Sequence, residues 1–149
     1  MEILSNLSEE LKKAMLAKDS LRLESLRAIK SAVLLAQTSG KQSGELTDEE
    51  SIQLLQRLVK QRKDSATIFR TQNRPDLAEP EENQAEIIAS FLPAQLDDAS
   101  LQKAISEIIA STGAQGMKDM GKVMGMASKQ LAGKAEGKRI ADLVKQLLA

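Results

Sequence analysis

The sequence predicts an all-α protein, in which a four-helix bundle-like N-terminal subdomain is followed by a smaller three-helix C-terminal subdomain. Apolar residues recur three and four positions apart in every periodic segment, as they do on one face of an α-helix. No segment alternates apolar and polar residues in the manner of a half-buried strand. The length of 149 residues and a hydrophobic content of 42% suffice for a buried core, so a globular helical fold follows.

Four helices are predicted in the N-terminal subdomain, which covers residues 1–92. The first spans residues 7–18 and the second residues 20–37, and a loop rich in glycine, serine and other polar residues follows over residues 38–44. The first helix is predicted to run through Leu7, Leu11, Ala14 and Met15, and the buried side of the second holds Leu26, Ile29, Val33 and Ala36.

The third helix is predicted to begin at a capping box. Thr47 precedes Glu50 by three residues. The threonine hydroxyl can therefore accept a hydrogen bond from the Glu50 backbone amide, while the Glu50 carboxylate accepts one from the Thr47 backbone amide. We expect this helix to end before Pro75, because the residue before a proline is pushed out of helical geometry. Its inward stripe consists of Ile52, Leu55, Leu58, Val59, Arg62, Ala66 and Phe69.

The fourth helix is predicted to start at Pro80, whose fixed φ suits a first helical turn, and to close at Leu92. Residues 92–96 are interpreted as a joint, and residues 97–149 as the C-terminal subdomain. The three helices of this subdomain are predicted at residues 98–112, 119–131 and 137–148, with Gly113 capping the first and Gly133 following the second.

The missing residue types limit the chemistry that this chain can perform. It has no histidine and no cysteine, which excludes the usual zinc ligands, a cysteine nucleophile and the commonest general base. We therefore predict no catalytic residue, no cofactor and no metal. Phe69 and Phe91 are its only aromatic residues, so stacking of nucleic-acid bases is not expected. The N-terminus lacks signal-peptide features and no disulfide can form, so a cytoplasmic location without membrane contact is expected.

Charge is distributed unevenly along the chain, although the net charge is zero. Residues 1–74 carry a net charge of +3, residues 75–112 carry −7, and residues 113–149 carry +4. Lys103 is the one basic residue of the acidic middle segment. Such segregation indicates charged partners more directly than the net charge does.

A stripe of lysines near the C-terminus gives the strongest functional signal. If a helix starts at about Asp119, Lys118, Lys122 and Lys129 fall within about 40° of one another over about 16 Å, with Gly125 among them. Such a stripe can contact several phosphates of a nucleic-acid backbone. The opposite, apolar face holds Met120, Val123, Met124, Ala127 and Leu131. The predicted nucleic-acid-binding residues, with a second row beyond Gly133, are Lys118, Lys122, Gly125, Lys129, Lys134, Lys138 and Arg139.

Two glycines lie inside this predicted helix. Gly121 and Gly125 have G-x-x-x-G spacing and each costs about 1 kcal/mol relative to alanine. Two interpretations are open: a neighbouring helix packs closely there, or a phosphate backbone approaches closely. Gly116, Gly121 and Lys122 also match the spacing of a P-loop. Because Val123 replaces the magnesium-binding hydroxyl residue and no strand precedes the motif, a nucleotide-hydrolysing P-loop is rejected.

Several motifs, taken in order, resemble the YqeY-like family over almost the whole chain. They are AIKSA at residues 28–32, KQRKDS at 60–65 with Phe69, Arg74-x-Asp76-Leu77, FLPAQL at 91–96, KDMGKVMG at 118–125 and GKAEGK at 133–138. Phe91 stands where the family more usually has tyrosine. The family is similar to the C-terminal helical and tail region of one subunit of the glutamine-dependent aspartyl/glutamyl-tRNA amidotransferase, the subunit that also carries a kinase-like domain. The resemblance implies an all-helical fold in two subdomains and a tail that grips tRNA.

Three functions are considered on these grounds. The first is a stand-alone module that binds tRNA or similar structured RNA through its backbone. The second is a protein-interaction or regulatory module, with a protein of the translation machinery as partner and no nucleic-acid role. The third is a component of a carbon-nitrogen ligase with glutamine as amido-N-donor, a label that family association implies. Since the residues offer no nucleophile, we expect any amidotransferase activity to need other subunits.

Overall fold

The computed structural model describes residues 2–39 and 44–149 and confirms the all-α prediction. That part of the chain contains seven α-helices, two short 3-10 turns and no strand. The helices are α1 (Leu7–Leu16), α2 (Ser20–Ser39), α3 (Asp48–Thr71), α4 (Pro75–Ala89), α5 (Asp98–Thr112), α6 (Met120–Gln130) and α7 (Gly137–Leu148). The 3-10 turns are Glu2–Leu4 and Met117–Asp119.

The chain separates into two compact units, Met1–Leu92 and Pro93–Ala149, each with its own hydrophobic core. Burial of a leucine, isoleucine or valine side chain contributes about 1.5–3 kcal/mol, so these cores hold the helices of each unit together. The first core contains Leu4, Leu7, Ala14, Leu26, Ile29, Val33, Leu54, Leu55, Leu58, Val59, Ala85 and Ile88. The second contains Leu101, Ile105, Ile108, Val123, Ala127, Leu131, Ala135, Ile140, Val144 and Leu148.

The junction of α1 and α2 differs in detail from the prediction. α1 ends at Leu16, and Lys18 adopts a left-handed φ of +54° that no α-helix can continue. The Asp19 carboxylate then accepts the Arg22 amide at 3.1 Å and supports the start of α2. Ala14 of α1 is buried, whereas Met15 next to it is 57% exposed.

α2 extends two residues into the loop that was predicted at residues 38–44. α2 continues through Ser39, and the Thr38 hydroxyl donates to the Leu34 carbonyl at 2.9 Å within the last turn. Residues 40–43 of that loop lie outside the described residues. The capping box is confirmed: Thr47 Oγ1 accepts the Glu50 amide at 3.2 Å, and Glu50 Oε2 accepts the Thr47 amide at 2.8 Å.

The start of α4 was predicted one turn too late. Pro75 itself occupies the first helical position, and Pro80 lies within the helix. Pro80 donates no hydrogen bond to the Asp76 carbonyl, which is tolerated at this exposed end of the helix. The Arg74 guanidinium donates to both Asp76 carboxylate oxygens, at 3.1 and 2.9 Å, and fixes the turn between α3 and α4.

The second unit consists of α5, α6 and α7 packed around the second core. α5 begins where the Asp97 carboxylate accepts the Ser100 amide at 2.7 Å, and it ends at Gly113 with a left-handed φ of +69°. Gly133, at φ +76°, turns the chain from α6 towards α7. No helix in the described ranges is both long and apolar enough to span a membrane.

Candidate nucleic-acid interface

The orientation of α6 is set by its apolar side. Val123 and Ala127 are fully buried in the second core, and Met120 and Met124 pack against that core from the side. These positions repeat every three or four residues, so they hold one face of the helix inward. The opposite face is therefore fixed towards solvent.

The outward side of α6 carries Gly121, Lys122, Gly125 and Lys129, all of them exposed, and is called the α6 face below. Lys122 and Lys129 are seven residues apart, which separates them by about 20° around the helix and about 10 Å along it. α6 contains no acidic residue. Neither lysine side chain forms a hydrogen bond or an ion pair with the part of the chain that the structure describes. The α6 face is therefore a positively charged surface with its cations free.

Lys118 does not belong to the α-helix, contrary to the predicted register. It lies in the 3-10 turn Met117–Asp119, which has about three residues per turn, and α6 starts at Met120. Lys118 is exposed, and its side chain has no partner among the described residues. It therefore adds a third free cation before α6, although not in line with Lys122 and Lys129 on one continuous helix.

The two glycines of α6 face open space. A Cβ atom built on either Gly121 or Gly125 would meet no heavy atom within 4 Å in the described structure. Neither glycine has a positive φ, so the backbone conformation does not require glycine at these positions. Packing against another helix of the second unit therefore does not explain them. Close approach of a ligand, the second interpretation, is still open.

The acidic residue next to α6 is bound to the loop that precedes it. Asp119 Oδ2 accepts the backbone amide of Gln115 at 3.0 Å, which ties the carboxylate to the preceding loop. Lys129 lies in the last turn of α6, where a cation interacts favourably with the helix dipole. Lys122, in contrast, lies in the first turn of α6, where a cation opposes the helix dipole.

The second row of predicted cations lies at the turn into α7. Lys134 is exposed in the turn, and Lys138 is exposed in the first turn of α7. The turn is held in place by the segment before α5: the Leu96 amide donates to the Lys134 carbonyl at 2.8 Å, and the Gln95 side-chain amide donates to the Gly133 carbonyl. Two motifs of the resemblance, residues 91–96 and 133–138, thus meet through these bonds.

Arg139 is not free, which departs from its predicted role. Its Nη2 donates to Asp98 Oδ1 and links the first turn of α7 to the first residue of α5. The Asp98 side chain is 93% exposed and the Arg139 side chain 39% exposed. Asp98 is not among the residues that the sequence predicted for the site. No local pattern could join two residues that are 41 positions apart.

A shallow depression of about 220 Å³ lies in the first unit, between the end of α2 and the start of α3. It is lined by Ala36, Leu46, Glu50, Gln53, Leu54 and Arg57. The Glu50 carboxylate is already used by the capping box. No group of three or more metal-ligating side chains occurs within residues 2–39 and 44–149.

The chain is similar in sequence to several fungal proteins. The chain is 38% identical over 104 residues to the Altered inheritance of mitochondria protein 41, mitochondrial, of Clavispora lusitaniae, covering 68% of this chain and 59% of that protein. It is 34% identical over 126 residues to the protein of that name from Lachancea thermotolerans, covering 80% of this chain and 66% of that protein. It is 33% identical over 103 residues to the protein of that name from Kluyveromyces lactis, covering 69% of this chain and 55% of that protein. The chain thus spans less than two thirds of the length of each of these relatives.

These relatives overturn the cytoplasmic prediction, because each of them is named as a mitochondrial protein. The prediction rested on the absence of cysteine and of signal-peptide features. Absence of cysteine removes a disulfide framework, but it does not distinguish one compartment without disulfides from another.

The family, in contrast, agrees with the resemblance seen in the motifs. The family model described as Yqey-like protein matches residues 4–148, which is nearly the whole chain and includes both compact units. The chain therefore belongs to the Yqey-like protein family.

Proposed function

We propose that this chain binds structured RNA, such as tRNA, by contacting its backbone phosphates with the α6 face and Lys118. One observation carries the proposal: Lys122 and Lys129, both exposed and unpaired within the described residues, lie on either side of Gly125, whose outward side is open. Cations spaced by about 10 Å on a rigid helix can contact successive phosphates, and the missing Cβ lets the backbone chain of the RNA come close.

The mode of binding that we propose is recognition of shape and phosphate rather than of bases. The second unit contains no aromatic residue, since Phe69 and Phe91 both precede Pro93. Bases of single-stranded RNA therefore find no stacking platform on it. A folded RNA presents its phosphates in a fixed arrangement, which suits a rigid row of lysines.

The similarity of the family to the tail of the amidotransferase subunit supports tRNA as the RNA. In that subunit the matching tail grips tRNA while the chemistry lies in other domains. Lys118, Lys122 and Gly125 all fall within the motif KDMGKVMG that carries the resemblance. We propose a binding role for this chain and assign the carbon-nitrogen ligase activity to partners, because no nucleophilic constellation is present in the sequence.

The test compares two charge-reversal variants that are matched in charge and in unit. Lys122→Glu with Lys129→Glu alters the α6 face, whereas Lys103→Glu with Lys145→Glu alters exposed lysines on α5 and α7. Binding of purified protein to bulk tRNA is measured over a series of salt concentrations. The α6 variant should lose binding, and removal of two phosphate contacts should lower the slope of log K against log salt by about 1.5.

The control variant separates site from overall charge. It should bind tRNA with most of the original affinity, and both variants should show the same small loss of stability, because each replaces one exposed lysine in the last turn of a helix. Equal loss in both variants would show only nonspecific attraction to a basic protein. No tRNA binding by the original protein at low salt would refute the proposal and leave the protein-interaction function.

A further inference from the structure

We infer that Asp98 restrains RNA binding by occupying Arg139, and that a phosphate replaces the Asp98 carboxylate when RNA binds. This inference rests on the proposed function and adds a regulatory contact to it. Arg139 Nη2 donates to Asp98 Oδ1 in the free protein, so this arginine does not present its full charge to a ligand.

The pair lies beside the free cations of the second row. The Leu96 amide donates a hydrogen bond to the Lys134 carbonyl at 2.8 Å. This bond holds the segment before α5 against the turn that leads into α7. Lys134 and Lys138 are exposed, and their side chains have no partner in the described ranges. Arg139 is thus the one member of the predicted second row that an acidic side chain engages.

Asp98 is the first residue of α5, where its negative charge suits the helix dipole, and its carboxylate is not used as the helix cap. The Asp97 carboxylate caps α5 by accepting the Ser100 amide at 2.7 Å. The Asp98 side chain is 93% exposed, and its carboxylate accepts from the Arg139 guanidinium. An exposed ion pair of this kind is weak and is screened by salt, so a competing anion can displace it.

A phosphate is a suitable competitor for this arginine. The planar guanidinium matches the oxygens of a phosphate as well as those of a carboxylate, and it can donate two parallel hydrogen bonds to either. The exchange breaks one exposed ion pair and forms another, while the displaced Asp98 carboxylate stays close to the phosphate and repels it. Removing the Asp98 charge should therefore increase affinity for RNA.

The experiment measures tRNA binding by Asp98→Asn, with Glu107→Gln as the matched control. Glu107 is an exposed acid on the same helix, and nine residues of helix place it on the opposite side of α5. Asp98→Asn should bind tRNA about fivefold more tightly at low salt. The slope of log K against log salt should become steeper by the amount that corresponds to about one additional phosphate contact. Glu107→Gln should change affinity by less than about twofold, as a distant exposed charge does.

A double-mutant cycle assigns the gain to Arg139. In an Arg139→Gln background, Asp98→Asn should lose most of its gain, because no guanidinium is left to release. Equal affinities of Asp98→Asn and Glu107→Gln would overturn the inference, and so would a gain that persists without Arg139. If Lys122→Glu with Lys129→Glu leaves tRNA binding intact, the proposed function fails; if that variant loses binding while Asp98→Asn behaves as its control, only the role of Asp98 fails.

Discussion

Gly125 lies at the centre of the α6 face, where its replacement by alanine should change stability and RNA binding in opposite directions. A Cβ at this position meets nothing within 4 Å, and the backbone has no positive φ, so alanine fits without strain. Glycine in the middle of a helix costs about 1 kcal/mol relative to alanine. Gly125→Ala should therefore raise the free energy of unfolding by about that amount, and the melting temperature by several degrees.

The same substitution adds a methyl group at the point where we propose that the RNA backbone approaches the helix. Displacing a close contact by one methyl costs about 1 kcal/mol or more, which corresponds to at least about a fivefold loss in affinity for tRNA. Ser106→Ala is the control, because Ser106 is exposed in the middle of α5, where alanine also raises helix propensity without altering the α6 face. Stability is measured by urea unfolding and binding by titration of tRNA.

Two results would refute this reasoning in different ways. A Gly125→Ala variant that is more stable and binds tRNA as well as the original protein would show that the RNA does not lie against the α6 face. A variant that is less stable would show that the fold itself requires glycine at this position. In the first case the free lysines on both sides of Gly125 would need another explanation.

Three further predictions concern the ends of helices. Thr47→Ala removes half of the capping box and should cost about 1 kcal/mol in urea unfolding. Gly113→Ala should also cost about 1 kcal/mol, because φ is +69° there, whereas Gly125→Ala stabilises. The hydrogen bond from the Ser100 amide lowers the pKa of Asp97 below its ordinary 3.8. The stabilisation of the fold by this ionised cap is therefore complete above pH 3.8 and is lost as pH falls through the lowered pKa. Asp97→Asn should therefore show a smaller drop in urea midpoint between neutral and acidic pH.

The helices were predictable because their signals are local. Apolar spacing identified Val123 and Ala127 as inward residues of α6, and the Thr47 capping box marked the start of α3. The start of α4 was missed because Pro75 and Pro80 both suit a first helical turn, and no local signal chooses between them. The choice is made by packing of α4 along α3, which brings Glu82 to within 2.8 Å of Arg70.

The candidate site was predictable only as far as helical register extends. The exposure of Lys122, Gly125 and Lys129 follows from the period of α6, and the structure places all three on its outward side. Lys118 departs from that register because the chain forms a 3-10 turn before the helix. The engagement of Arg139 by Asp98 depends on how α5 and α7 pack, which periodicity does not specify.

The free lysines of the second unit depend on what its acidic residues do. Residues 93–149 carry eight basic and six acidic side chains, a small excess that would not by itself favour RNA. Two of those acids, Asp97 and Asp119, accept backbone amides of Ser100 and Gln115. Because these carboxylates serve helix ends and loops instead of pairing with lysines, a unit that is nearly balanced in charge can still present unpaired cations along α6. Local placement of the acids, more than net charge, therefore determines where a phosphate can bind.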